Sequence, residues 1–153
     1  MLIPLLFGGL MMVLNLGILV LAVSLLIRML TNRIGDQHSE PTLLGDVKAL
    51  SLVMAVLMFG HLLQFATWAA LFTWLGEFTD FATAFYHSTV NFTSLGYGDI
   101  VMSEQWRLLG ALEAGNGVLM FGLSASTILA VMNALFRRRK VLHGLKNSIG
   151  QAD

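Results

Sequence analysis

The chain has 153 residues, 56% of them hydrophobic, and sets nine Lys+Arg against nine Asp+Glu for a net charge of zero. Its charged fraction of 12% is about half the quarter usual in soluble domains, which excludes an ordinary globular fold, and with a neutral balance and one basic run that directly follows an apolar span, nucleic-acid binding is not expected. Without cysteine there is no disulfide, thiolate metal site or thiol nucleophile.

No Asp, Glu, Lys or Arg occurs from Leu2 to Ile27, from Ala49 to Gly76, or from Ala114 to Phe136, and each gap exceeds the ~20 apolar residues that carry a helix across a bilayer. The first gap has no positive side chain before it and Arg28 and Arg33 after it, the reverse of a cleavable signal peptide. Residues 1–30 are therefore expected to stay as an extra N-terminal transmembrane helix. A polar linker, 31–45, carries Asp36, His38, Glu40 and Pro41. An outer helix is expected over 46–76. On it His61 and Gln64 share a face, and a lone intramembrane histidine reads as a hydrogen-bonded packing group and not as a metal ligand.

The apolar stretch Phe81 to Phe92 is too short to span a membrane at ~1.5 Å per residue. Thr79 or Asp80 supplies an N-cap, so the pattern predicts a short helix over 80–93 that dips in, followed by a non-helical loop over 94–98. Bare backbone at membrane depth is tolerated only where protein buries it or a watery cavity adjoins it. An inner helix follows over 105–136, rich in small residues (Gly110, Gly115, Gly117, Gly122, Ser124, Ala125) that permit close helix packing. Glu113 within it is costly enough to require a partner, Arg107 or a hydroxyl on the short helix, and a brace behind the loop is the reading preferred here.

A basic tail, 137–153, begins with Arg137-Arg138-Arg139-Lys140. All Lys and Arg except Arg107 fall at the 28–48 junction or after 136, which by the positive-inside rule puts the N-terminus outside and the C-terminus in the cytoplasm of a cell membrane. The expected fold is an all-α membrane protein: three transmembrane helices plus a re-entrant pore helix and its loop.

Thr93-Ser94-Leu95-Gly96-Tyr97-Gly98-Asp99 resembles the selectivity-filter signature of potassium channels, and the order helix, filter, acidic mouth, inner helix over 46–136 resembles their pore domain. Gly96 and Gly98 permit the positive φ angles that turn successive carbonyls one way, and the resemblance implies that such a row of oxygens replaces the hydration shell of a cation. The resemblance implies ion coordination by the carbonyls of Ser94, Leu95, Gly96 and Tyr97 and by the Ser94 hydroxyl, with Thr93, Gly98 and Asp99 supporting the filter. Tyr86 and His87 stand where the family often has two aromatics that clamp the filter tyrosine, and Val90 where some members have a buried acid. Ser94 and Leu95 replace the usual threonine and valine or isoleucine, keeping the hydroxyl and the carbonyl. Asn116 and Gly117 lie near the family's inner-helix hinge, open to either a cavity-lining or a packing role. Glu77, Asp80, Asp99 and Glu104 face one base, Arg107, at the external mouth and are expected to concentrate cations there, with a solvated rim the equal alternative for Glu77 and Glu104.

The expected activity is passive, potassium-selective conduction through a homotetramer, because the family surrounds the ion with four filters and each chain carries one. Membrane lipid is the other partner; no cofactor and no small-molecule substrate are expected. A non-selective monovalent cation pore and a non-conducting accessory subunit are the alternatives. An intramembrane enzyme built on His61, His87 and Glu113 lacks any nucleophile and base pair.

Overall fold

The computed structural model describes residues 2–34 and 42–149, without side chains at 32–34 and 142–149. It is all helical: α1 (Leu2–Ile34), α2 (Leu43–Trp74), α3 (Phe81–Phe92) and α4 (Arg107–Ile149). Three of these, α1, α2 and α4, are long and apolar enough to cross a membrane. Most of the expected linker, 35–41, lies outside the described residues.

The helix ends follow local chemistry. Thr42 caps α2, its side chain accepting from the Gly45 amide at 3.1 Å, so the helix starts ahead of the expected residue 46. At the other end Gly76, at φ 78°, reverses the chain. Its amide donates to the Thr73 carbonyl and the Glu77 amide to that of Phe72, at 3.1 and 3.0 Å. That paired closure ends a helix in a left-handed glycine.

The inner helix departs from expectation: α4 does not stop near 136 but runs through the basic stretch to Ile149. Charge marks where a segment leaves the bilayer, whereas Arg, Lys and Leu are good helix formers in water or lipid, so the span ends before the helix does. An ion pair between Arg139 and Asp46, 2.5 Å long, fastens that extension to the start of α2.

The spans alternate in direction. Phe7 of α1 meets Trp74 at the end of α2 and Trp106 just ahead of α4, with ring centroids 5.8 and 6.1 Å apart, so α1 runs antiparallel to α2 and parallel to α4. Arg28, Lys48 and Arg137 to Lys140 therefore gather at one end of the bundle and the 75–106 segment at the other. The first helix packs on both α2 and α4. Gly8 lies at the second contact, where a Cβ would meet the Leu112 side chain.

The short helix α3 lies between α2 and α4 and descends along α4. Its last residue, Phe92, puts its carbonyl against Gly117, where a Cβ would sit only 1.8 Å from that oxygen. Gly117 is about 15 Å along α4 from Arg107 at ~1.5 Å per residue, and the chain then climbs back to Arg107, so this segment is re-entrant. Phe92, Phe65 and Phe121 pack edge to face beneath it.

Gly117→Ala drives a methyl group into backbone and forces α3 and α4 apart, a cost of roughly 3 kcal/mol. Thermal unfolding in detergent should show a clearly lowered midpoint. Gly9→Ala, which adds a methyl where nothing lies within 4 Å, should leave the midpoint unchanged or slightly raised.

Candidate functional site: a re-entrant loop with aligned carbonyls

The site begins at the N-terminus of α3. Asp80, extended at φ −131°, accepts from the Thr83 amide at 2.8 Å, satisfying one of the free amides of the first turn. That bond holds the Asp80 carboxyl below the usual carboxylate range. At the other end the helix stops at Thr93, whose hydroxyl turns back to the Thr89 carbonyl at 2.7 Å.

The last carbonyls of α3 then capture the loop. The Val90 oxygen accepts from the amides of Leu95 and Gly96 at 3.0 and 3.3 Å, and the Asn91 oxygen from that of Ser94 at 2.8 Å. Loop amides thus face the helix. Among the described residues, no hydrogen bond of the chain goes to the carbonyl oxygens of Ser94, Leu95, Gly96 or Tyr97.

The backbone angles give the reason. Ser94, Gly96 and Gly98 have φ of 58°, 58° and 73°, while Leu95 and Tyr97 between them are not in the positive region. In an ordinary strand successive carbonyls point to opposite sides. Reversing the sign of the dihedrals at every second residue turns them to one side and the amides to the other, the arrangement that makes a row of polar groups of one sign. Glycine accepts this at no steric cost, whereas Ser94 holds a conformation that L-residues resist by about 1–2 kcal/mol. The side chains of Leu95 and Tyr97 stand 55% and 67% exposed in the single chain.

The strand leaving the loop is tied at three points. The Tyr86 hydroxyl donates to Asp99 Oδ2 at 2.8 Å. His87 Nδ1 donates to the Ile100 carbonyl at 3.1 Å, and its Nε2 accepts from Asn91 Nδ2 at 2.8 Å, a neutral ring held between Phe72 and Phe78. Glu77 accepts from the Ser103 amide and hydroxyl, both at 2.7 Å. Tyr86 and His87, at the positions where the family has its clamp, hold the two residues beyond Gly98 within this chain, because hydroxyl and imidazole reach polar partners where larger apolar rings would stack. Glu77 is a tether for the returning chain; its link to Ser103 had no signal in the sequence.

Of the inner-helix residues, Asn116 is fully buried within the chain, with neither amide atom hydrogen-bonded among the described residues. Gly117 is the contact point for Phe92. The side of α4 left open carries Gly115, Val118, Leu119 and Gly122. Glu113 is fully buried and meets the Ser88 hydroxyl of α3 at 2.5 Å, the hydroxyl partner anticipated, and not Arg107.

A second polar chain crosses the helices lower down. Gln64 donates to the Asn15 carbonyl at 2.8 Å, which leaves its oxygen for His61 Nδ1 at 2.8 Å, and the Ser124 hydroxyl completes the chain at His61 Nε2, 3.0 Å away. His61 is thus the hydrogen-bonded packing group the sequence suggested, with Asn15 and Ser124 as the partners it could not name.

A spanning helix, a short helix that dips and returns through a carbonyl-lined loop, and a second spanning helix define a pore-loop membrane protein. The sequence model of the ion channel family matches residues 48–134, more than half of the chain and all three of those elements, and the chain belongs to that family as a multi-pass membrane protein. No curated protein and no solved structure matches it.

Asp80→Ala removes the cap of α3 and should lower the unfolding midpoint by a few degrees, while Asp80→Asn, an equally good cap, should not. Because the folded carboxyl is held low, its capping contribution is complete at neutral pH and is lost as pH falls through that depressed value. Acidification should therefore destabilise the wild-type protein more than Asp80→Asn.

Proposed function

We propose that the chain is the subunit of a potassium-selective channel and that four copies surround the conduction path. The observation that carries this reading is the alternation of φ sign from Ser94 to Gly98, with four successive carbonyls that have no partner among the described residues. Oxygens so placed coordinate a dehydrated cation if other copies complete the ring. A re-entrant, non-helical backbone exposed on a single chain also requires burial by more protein, and self-assembly supplies it with the same loop.

In this reading the pore domain is 46–136, the filter is 94–98, and Ser94, Leu95, Gly96 and Tyr97 hold the ion. Thr93 and Asp99 are supports, and the first helix is an addition to the minimal pore. Asp99, Glu77, Asp80 and Glu104 draw cations to the outer mouth, and the negative end of the α3 dipole favours a cation on the inner side. The basic end of the bundle faces the cytoplasm. Potassium is cargo, moved passively down its gradient, so no chemical step and no cofactor enter.

Purified protein in liposomes should pass potassium down its gradient and run as a tetramer after cross-linking. Gly96→Ala, which puts a side chain on a residue at φ 58°, should reduce that flux to background while leaving assembly intact. Equal sodium and potassium permeability in a bi-ionic measurement would overturn selectivity in favour of the non-selective pore. A monomer without current would favour the accessory subunit.

A further inference from the structure

Glu113 is the one acidic side chain buried within a span among the described residues, and ion conduction as proposed above makes no use of it. Its surroundings specify more than a generic brace. Ser88, also fully buried, stands between two oxygens: its hydroxyl oxygen is 2.9 Å from the Phe65 carbonyl of α2 and 2.5 Å from Glu113 Oε1. A serine hydroxyl has one hydrogen. The Phe65 carbonyl can only accept, so the serine hydrogen goes there, and the hydrogen in the shorter contact comes from Glu113. A carboxylate at this place would leave the serine two acceptors for one hydrogen. It would also bury an ionic Oε2 that makes no hydrogen bond of good geometry among the described residues, with the Asn91 amide nearby already donating to His87 Nε2, and a low-dielectric interior penalises such a charge heavily.

The relay acts at a particular place. Ser88 precedes Phe92 by one turn of α3, and Glu113 precedes Gly117 by one turn of α4, so the two helices are pinned twice in the same register. One pin is the hydrogen bond and the other the contact of the Phe92 carbonyl with Gly117. Through Phe65 the first pin also reaches α2. Val90, whose carbonyl holds the amides of Leu95 and Gly96, lies between Ser88 and Phe92. The height of the filter is set by this stretch of α3.

We propose that Glu113, uncharged and donating through Ser88 to the Phe65 carbonyl, is a positioning residue that fixes the filter against the inner helix and so maintains ion selectivity. The inference rests on the channel reading above, and its test has one arm that does not. In infrared spectra at neutral pH, the wild-type protein should show the C=O stretch of a protonated carboxylic acid, shifted by isotope-labelled glutamate and absent in Glu113→Gln. Its absence from the wild type overturns the proposal whether or not the protein conducts.

In liposomes Glu113→Gln, whose amide can donate to Ser88 in the same direction, should keep the potassium-to-sodium permeability ratio within about twofold of wild type. Glu113→Ala and Ser88→Ala should lower it roughly tenfold, the scale of one lost buried hydrogen bond. A glutamine variant as impaired as the alanine variant, or an alanine variant with unchanged selectivity, defeats it. Should Glu113→Ala fail to assemble, the comparison of Glu113→Gln with Ser88→Ala carries the same decision. Wild-type protein with no selective conduction would instead overturn the channel reading and leave the infrared result standing.

Discussion

Everything in this protein is arranged around a stretch of backbone that is neither helix nor sheet. From Ser94 to Gly98 the peptide groups do not satisfy one another: the amides of Ser94, Leu95 and Gly96 are handed to the end of α3, and the carbonyls of Ser94 to Tyr97 are left without a partner among the described residues. In water such a loop would be solvated without consequence. In the interior of a membrane protein each unsatisfied group costs several kcal/mol, and the surrounding helices exist in this order and length to hold that loop and to limit what it meets.

The holding is done by polar contacts at the few points where helices cross, set in apolar packing that specifies position only loosely. Aromatic rings of Phe65, Phe92 and Phe121 fill the space under α3, but rings slide. Position is set where a hydrogen bond or a missing side chain leaves one arrangement: Ser88 between Phe65 and Glu113, Gly117 against the Phe92 carbonyl, Glu77 on Ser103. In apolar surroundings a broken polar contact finds no water to replace its partner, so few of them suffice. The returning strand is held similarly, by Tyr86 on Asp99 and His87 on Ile100, and so the loop is restrained at both ends.

The first helix extends the same scheme. Outside the matched family region, it is joined to α2 by Asn15 with Gln64 and to α4 by Gly8 with Leu112. The chain from Asn15 through Gln64 and His61 to Ser124 crosses all three spanning helices. It makes α1 part of the bundle and couples the inner helix below Gly117 to both outer helices. At the far end the Arg139 and Asp46 pair couples α2 and α4 again, where α4 emerges as a basic helix.

Much of this was legible from residue order. Long uncharged runs specify three spans because a charge in lipid is expensive. The stretch Phe81 to Phe92 specifies a re-entrant helix because it is too short to cross, and Gly96 and Gly98 specify a reversed backbone because only glycine takes positive φ freely. Helix ends were less legible, since hydropathy reports where lipid stops and not where the helix stops; α4 passes Phe136 without interruption. Pairings across helices were legible only in kind, as a partner on the short helix for Glu113. That Glu113 meets Ser88, that Tyr86 reaches Asp99 and not Tyr97, that Ser94 joins the glycines at positive φ, and that Gly117 admits a carbonyl depend on helix rotation and depth. Those are decided when all four helices pack together, by the need to set buried polar groups such as Glu113, Gln64 and His61 against partners.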